Sequence, residues 1–108
     1  LRPIANIIME INGEEYEESS IGDGQYDAFM KALWKIYTVQ LGRERPILMD
    51  YVVTIPPGGK TDALVEAVIT WEFKEREFKT KAVEADQTEA AIKATEKMLN
   101  IIERNHFK

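Results

Sequence analysis

The sequence contains no cysteine, which removes disulfides, thiolate nucleophiles and zinc-thiolate sites from the chemistry open to it. Its one histidine, His106, stands close to the C-terminus. Neither a Ser-His-Asp arrangement nor a His-based metal set of ordinary spacing can be built around it, so it reads as part of a frayed tail and no catalytic constellation or metal site is assigned. Apolar runs extend only a few residues, against the roughly 20 that a membrane-spanning helix requires. Positive charge is in deficit: 14 Lys and Arg stand against 19 Asp and Glu, a formal charge of −5. Nucleic-acid backbones and anionic membranes are repelled on average by such a surface, and neither is an expected partner. No charged-then-apolar leader opens the chain, so a cytoplasmic setting is expected. The first residues are Leu1-Arg2-Pro3, without a Met, which reads as a piece cut from a longer polypeptide.

The 108 residues, 44% hydrophobic and 31% charged, fit one compact domain with a packed core, because a chain of this size buries enough surface for one core and not for two. Residues 1–108 are therefore expected to form a single domain.

Residues 4–20 alternate around Asn12-Gly13, a dipeptide suited to the positive φ angles of a two-residue hairpin turn, and predict strands over 4–11 and 14–20. After Gly22-Asp23-Gly24, apolar residues recur at Tyr26, Phe29, Met30, Leu33, Ile36, Tyr37 and Leu41. That spacing predicts a helix over 24–41 closed by Gly42. Period-two alternation over 47–55 places Ile47, Met49, Tyr51, Val53 and Ile55 on one face of a strand ended by Pro56-Pro57-Gly58-Gly59. It returns over 63–73, with Val65, Ala67, Ile69 and Trp71 inward and Glu66, Thr70 and Glu72 toward water. Lys74 to Glu77 reads as a turn before a strand over 77–84. Asp86, with Glu89 three residues on, marks a capped helix start, and the helix runs to Arg104. The predicted order is β-β-α-β-β-β-α. It implies an α+β fold of two helix-capped antiparallel β units.

Several motifs invite a chemical reading. Gly59-Lys60-Thr61 resembles the end of a phosphate-binding loop, but Thr54 stands where the required first glycine belongs and a strand follows instead of a helix. Gly22-Asp23-Gly24 lacks the third glycine of a dinucleotide fingerprint and follows a hairpin. What it retains is a helix N-terminus whose backbone N–H groups are uncovered by side chains, where the helix dipole favours a small carboxylate; an ordinary loop-to-helix junction is the bland alternative. Glu14, Glu15, Glu17 and Glu18 flank the hairpin and read as a solvated face that discourages edge pairing. Asp50 falls among apolar residues, and strand parity allows it to face solvent. Asp-Ala follows a glycine pair in both 22–28 and 58–63, which hints at a duplicated half-domain, although the first precedes a helix and the second a strand.

Four segments together carry a resemblance. Gly22-x-Gly24-x-x-Asp27-Ala28, followed by Lys31-Ala32-Leu33, resembles the signature that opens the first helix of the regulatory domain of 2-isopropylmalate synthases and the related citramalate synthases. Leu48-Met49-Asp50-Tyr51 resembles that family's Leu-x-Asp-Tyr strand, Gly58 to Ala63 its glycine-rich turn, and Asp86 to Asn100 its final helix. They occur in the family's order and span nearly the whole chain. Gln25 departs from the pattern where the family has Pro, Tyr26 where it has a small aliphatic, and Gln87-Thr88 where it has two aliphatics.

The resemblance implies a dimerising, allosteric regulatory domain that binds a free end-product amino acid near the dimer interface: leucine in isopropylmalate synthases, isoleucine in citramalate synthases. It assigns the effector to Asp23, Gly24 and Tyr26 at the first helix start, Tyr51 and Ile55 on the central strand, and Ala63 after the glycine turn. It implies no cofactor for this domain. A separate TIM barrel of the parent enzyme would use a divalent metal and condense acetyl-CoA with a 2-oxo acid. The chain alone is then not an enzyme, but the feedback-inhibited arm of an acyltransferase in leucine biosynthesis.

Two rival readings stand beside it. From residue 24 onward the order α-β-β-β-α is also that of double-stranded-RNA-binding modules, yet the last helix opens Asp86-Gln87-Thr88-Glu89, with Lys93 its first base, where phosphate contacts would need lysines. A ligand-free structural dimerisation domain would use Tyr26, Tyr51 and Trp71 for packing alone.

Overall fold

A computed structural model describes residues 1–56 and 64–104. The expected glycine turn at 58–63, Ala63 included, and His106 lie outside the described residues. The chain divides into two compact units, residues 1–45 and 46–108, and each is an antiparallel sheet carrying a helix, as the periodicity predicts.

In the first unit, β1 (Ile4–Ile11) and β2 (Glu14–Ile21) form a hairpin registered from Ile4 opposite Ile21 to Ile11 opposite Glu14. Asn12 and Gly13 hold φ values of 53° and 83°, the left-handed pair that lets a two-residue turn follow the strands' own twist. Burial alternates along both strands, and α1 (Gln25–Trp34) packs across them with Ala28, Ala32 and Leu33 buried. The helix does not stop at Trp34. It continues as a wider π-helical coil over Lys35–Gln40, in which Leu41 N–H donates to the Ile36 carbonyl at 2.9 Å. Ile36 and Tyr37 are buried there, Gln40 Nε2 reaches the Glu17 carbonyl and the Glu18 carboxylate, and Lys35 Nζ reaches the Ser19 carbonyl. Gly42, at φ 64°, ends the coil, as a residue without a Cβ can do at little cost.

In the second unit, β3 (Ile47–Thr54), β4 (Val65–Phe73) and β5 (Arg76–Glu84) form a three-stranded sheet in that order. The helix α2 (Gln87–Glu103) lies over β4 and β5. Asp86 caps it, its carboxylate accepting from the Glu89 N–H at 3.1 Å. Ala90, Ala91 and Ala94 are fully buried, and their small side chains bring the helix close to the sheet, where Ala67, Ile69 and Trp71 are equally buried. The Trp71 indole N–H, which burial would leave costly if unpaired, donates to Thr80 Oγ1 at 2.9 Å.

Three expectations need correction here. The alternation over 47–55 is broken by a bulge between Leu48 and Asp50: Leu48 opposes Trp71, Asp50 opposes Thr70, and Met49 is the extra residue. Tyr51 and Val53 therefore share a face with Leu48, Ile69 and Ala67, while Ile47, opposite Glu72, lies on the other. An inserted residue reverses parity, which a strict period of two cannot register. Thr70, expected to face water, is only 7% exposed. The β4–β5 turn is also tighter than the four residues expected: Phe73 opposes Arg76, leaving Lys74 and Glu75 alone in the loop.

Candidate functional site

The start of α1 is built by a close approach of backbone to backbone. Gly22 follows directly on β2, and its N–H donates to the Pro3 carbonyl at 3.1 Å. A Cβ on Gly22 would stand 2.3 Å from the Ala28 nitrogen, so only glycine lets the strand end cross the first helical turn. Gly24, the N-cap residue, is different. Its backbone is extended and a Cβ there would meet nothing within 4 Å. The fold thus requires glycine at 22 for space, and at 24 leaves an opening beside the helix start. As a glycine, the N-cap residue has no side chain with which to cap the first turn.

The carboxylates around this opening are already engaged. Asp27 Oδ2 accepts from the Asp23 N–H at 2.9 Å and pairs with Lys31 Nζ at 3.1 Å. The Asp23 hydrogen bond, and then Lys31, hold the Asp27 carboxyl below the usual aspartate range, since both favour its charged form. Asp23 in turn pairs with the Arg2 guanidinium at 2.9 Å. An incoming ammonium group at Asp23 would share or displace Arg2, an exposed contact that costs little to exchange. Tyr26 is half-buried, with its ring stacked on Phe29 at 6.1 Å between centroids.

Asp23, Gly24 and Tyr26 thus lie together in the first unit. Tyr51 and Ile55 belong to the second: Tyr51 is half-buried on β3, on the face shared with Ile69, and Ile55 follows the strand's end with 70% of its surface exposed. Sequence reasoning missed Arg2 and the role of Asp27. The Asp27-Lys31 pair is visible as an i,i+4 spacing of opposite charges, but Arg2 and Asp23 are 21 positions apart and no periodicity links them.

The profile of the family described as "LeuA allosteric (dimerisation) domain" matches residues 1–103. The chain belongs to that family. Among curated relatives, the 2-isopropylmalate synthase of Methanocaldococcus jannaschii is 37% identical over 92 residues, covering 85% of this chain and 17% of the relative. That of Aquifex aeolicus is 34% identical over 99 residues, covering 91% of this chain and 18% of the relative. The Pseudoalteromonas atlantica enzyme is 31% identical over 98 residues, with the same two coverages of 91% and 18%. The chain therefore spans less than a fifth of the length of these relatives. Among the described residues, no helix is long and apolar enough to cross a membrane.

Proposed function

We propose that this chain is the amino-acid-sensing, homodimerising regulatory domain of a cytoplasmic 2-isopropylmalate synthase, through which leucine feeds back on its own biosynthesis. The observation that carries the reading is the match of residues 1–103 to a family described as allosteric. Relatives called 2-isopropylmalate synthases support it. Catalysis belongs, on this reading, to a TIM barrel elsewhere in the parent protein, which holds the divalent metal and joins acetyl-CoA to a 2-oxo acid.

The chemistry of the residues fits a free amino acid. The N-terminus of α1 attracts a carboxylate, and the opening beside Gly24 lets one approach. Asp23 offers a partner for the ammonium group, and Tyr26, beside it in the first unit, supplies apolar surface for the side chain. Signalling then requires that the effector bind one arrangement of the dimer more tightly than another, because only differential affinity shifts an equilibrium. A second reading keeps this role with isoleucine as effector, as in citramalate synthases. Tyr26 favours considering it, since a ring stacked on Phe29 stands where the family has a small aliphatic and reshapes the space left for the ligand.

Calorimetric titration of the chain with leucine, isoleucine and valine tests both readings. One of them is expected to bind and to raise the melting temperature, since a ligand selective for the native state stabilises it. Three flat titrations at millimolar ligand would leave a domain that dimerises without sensing.

A further inference from the structure

The two units treat their sheet edges unequally. In the first, β2 carries Glu14, Glu15, Glu17 and Glu18, while β1 has Glu10 as its single charge. In the second, β5 carries Arg76, Glu77, Lys79, Lys81 and Glu84, while β3 has Asp50 alone. Edges dense in charge resist the addition of a further strand; sparsely charged ones invite it, because an edge strand has a neighbouring strand on one side only within its sheet. β1 and β3 are thus the two inviting edges.

They differ in what covers them. Along β1 exposure alternates, with Ile4 and Ile8 outward and the other face packed under α1. Along β3 the alternation is lost: Ile47, Leu48 and Met49 are exposed in succession, at 57%, 38% and 50%, and Val52 follows at 42%. The helix of this unit lies over β4 and β5, so β3 overhangs it. Apolar side chains on both faces of an edge strand beyond its covering helix are the signature of a sheet that continues.

We propose that β3 is the dimer edge: a second copy of this chain lays its own β3 antiparallel alongside, making one continuous sheet in the order β5-β4-β3-β3-β4-β5. A two-fold axis relates an antiparallel pair of identical strands by construction, and the contact closes on itself without leaving a free copy of the same edge. The second copy is the occupant because the family is one of dimerisation domains. The inference rests on the homodimer reading above and adds which surface forms it, with Ile47, Met49 and Val52 at the seam.

Single cysteines test it cleanly, since the chain has none of its own. Leu48→Cys, Asp50→Cys and Val52→Cys are each oxidised mildly, with Val83→Cys on β5 as the exposed control. At least one β3 cysteine is expected to give a disulfide-linked dimer well ahead of the control. Val52→Lys, with its fold checked by circular dichroism, is expected to weaken dimerisation by about tenfold or more in sedimentation, because like charges then meet across the seam. Ile8→Lys on β1 should leave the dimer intact. A dimer that survives Val52→Lys and links no faster through β3 than through Val83→Cys overturns the assignment while leaving homodimerisation standing, and so does loss of the dimer on Ile8→Lys alone. An unsubstituted chain that sediments as a monomer removes the homodimer reading itself, and this inference with it.

Discussion

The Trp71 indole N–H and the Thr80 hydroxyl meet at 2.9 Å on the helix-facing side of β4 and β5, with Trp71 fully buried and Thr80 5% exposed. They are diagonal neighbours, Thr80 lying directly opposite Ile69 and Trp71 opposite Phe78. The largest side chain of this core is thereby fixed in one orientation by a single polar contact. Thr80→Val keeps the shape and removes the acceptor, stranding a buried N–H. Stability in urea should fall by about 1–3 kcal/mol. Trp71→Phe in the Thr80→Val background should cost less than the two single losses added together. Full additivity in that cycle would mean that the contact contributes nothing.

Gly22 and Gly24 should respond oppositely to alanine. At Gly22 the new Cβ would strike backbone atoms of Asp27 and Ala28, which cannot swing aside as a side-chain tip can. A loss of about 1–3 kcal/mol or more is expected. At Gly24 the Cβ enters open space and the backbone is already extended, so stability should stay within about 0.5 kcal/mol. If an amino acid docks beside that helix start, Gly24→Ala should weaken its binding while the melting temperature of the unliganded chain stays put. Unchanged ligand affinity would move the effector away from this opening.

The β4–β5 turn holds Lys74 and Glu75 at φ 52° and 65°, a left-handed pair for which both side chains are poorly suited. Replacing them by the Asn-Gly that already serves the β1–β2 turn should stabilise the chain by about 1 kcal/mol. Chemical denaturation gives the answer directly. A destabilised product would indicate that the contact of Lys74 Nζ with the Phe73 ring, at 5.4 Å from its centroid, outweighs the backbone gain.

Asp27 should make the first unit acid-sensitive. Its folded-state carboxyl is depressed by the Asp23 N–H and by Lys31, so it binds its proton less readily folded than unfolded. The stabilisation is present above the ordinary aspartate range and is lost as pH falls through the depressed value. Asp27→Asn should therefore melt below the unsubstituted chain at neutral pH, and the gap should close as the pH falls below the ordinary aspartate range. A gap that persists unchanged in acid would show that the amide acts through packing rather than charge.

Local chemistry made most of the fold legible in the sequence. Asn12-Gly13 announces its turn through backbone angles that few other residues accept, and Asp86 its helix through a carboxylate placed to take the Glu89 N–H. Features that depend on a distant partner were not legible. The bulge at Met49 exists because β4 pairs with Leu48 and Asp50, and nothing within Ile47 to Thr54 signals an extra residue. Thr70 has the composition of an outward position and the burial of an inward one. At the candidate site, the glycines stood out but their separate duties did not, because the demand on Gly22 comes from Ala28 across the turn. Arg2 was invisible for the same reason: its partner Asp23 is brought near only when the chain has folded back.

The π-helical coil over Lys35–Gln40 makes the two halves of one helix unequal in their tolerance of length change. Its hydrogen bonds reach one residue further back than those of an α-helix, so it stores a residue that tighter winding could release. A one-residue deletion there could be absorbed by rewinding, with Trp34 and everything before it undisturbed. The same deletion between Gln25 and Trp34 would turn Ala28 or Ala32 off the hairpin by about a quarter of a revolution and bring bulkier neighbours against the strands. Homologues that differ in length within this helix should carry the difference after the position of Trp34, not before it.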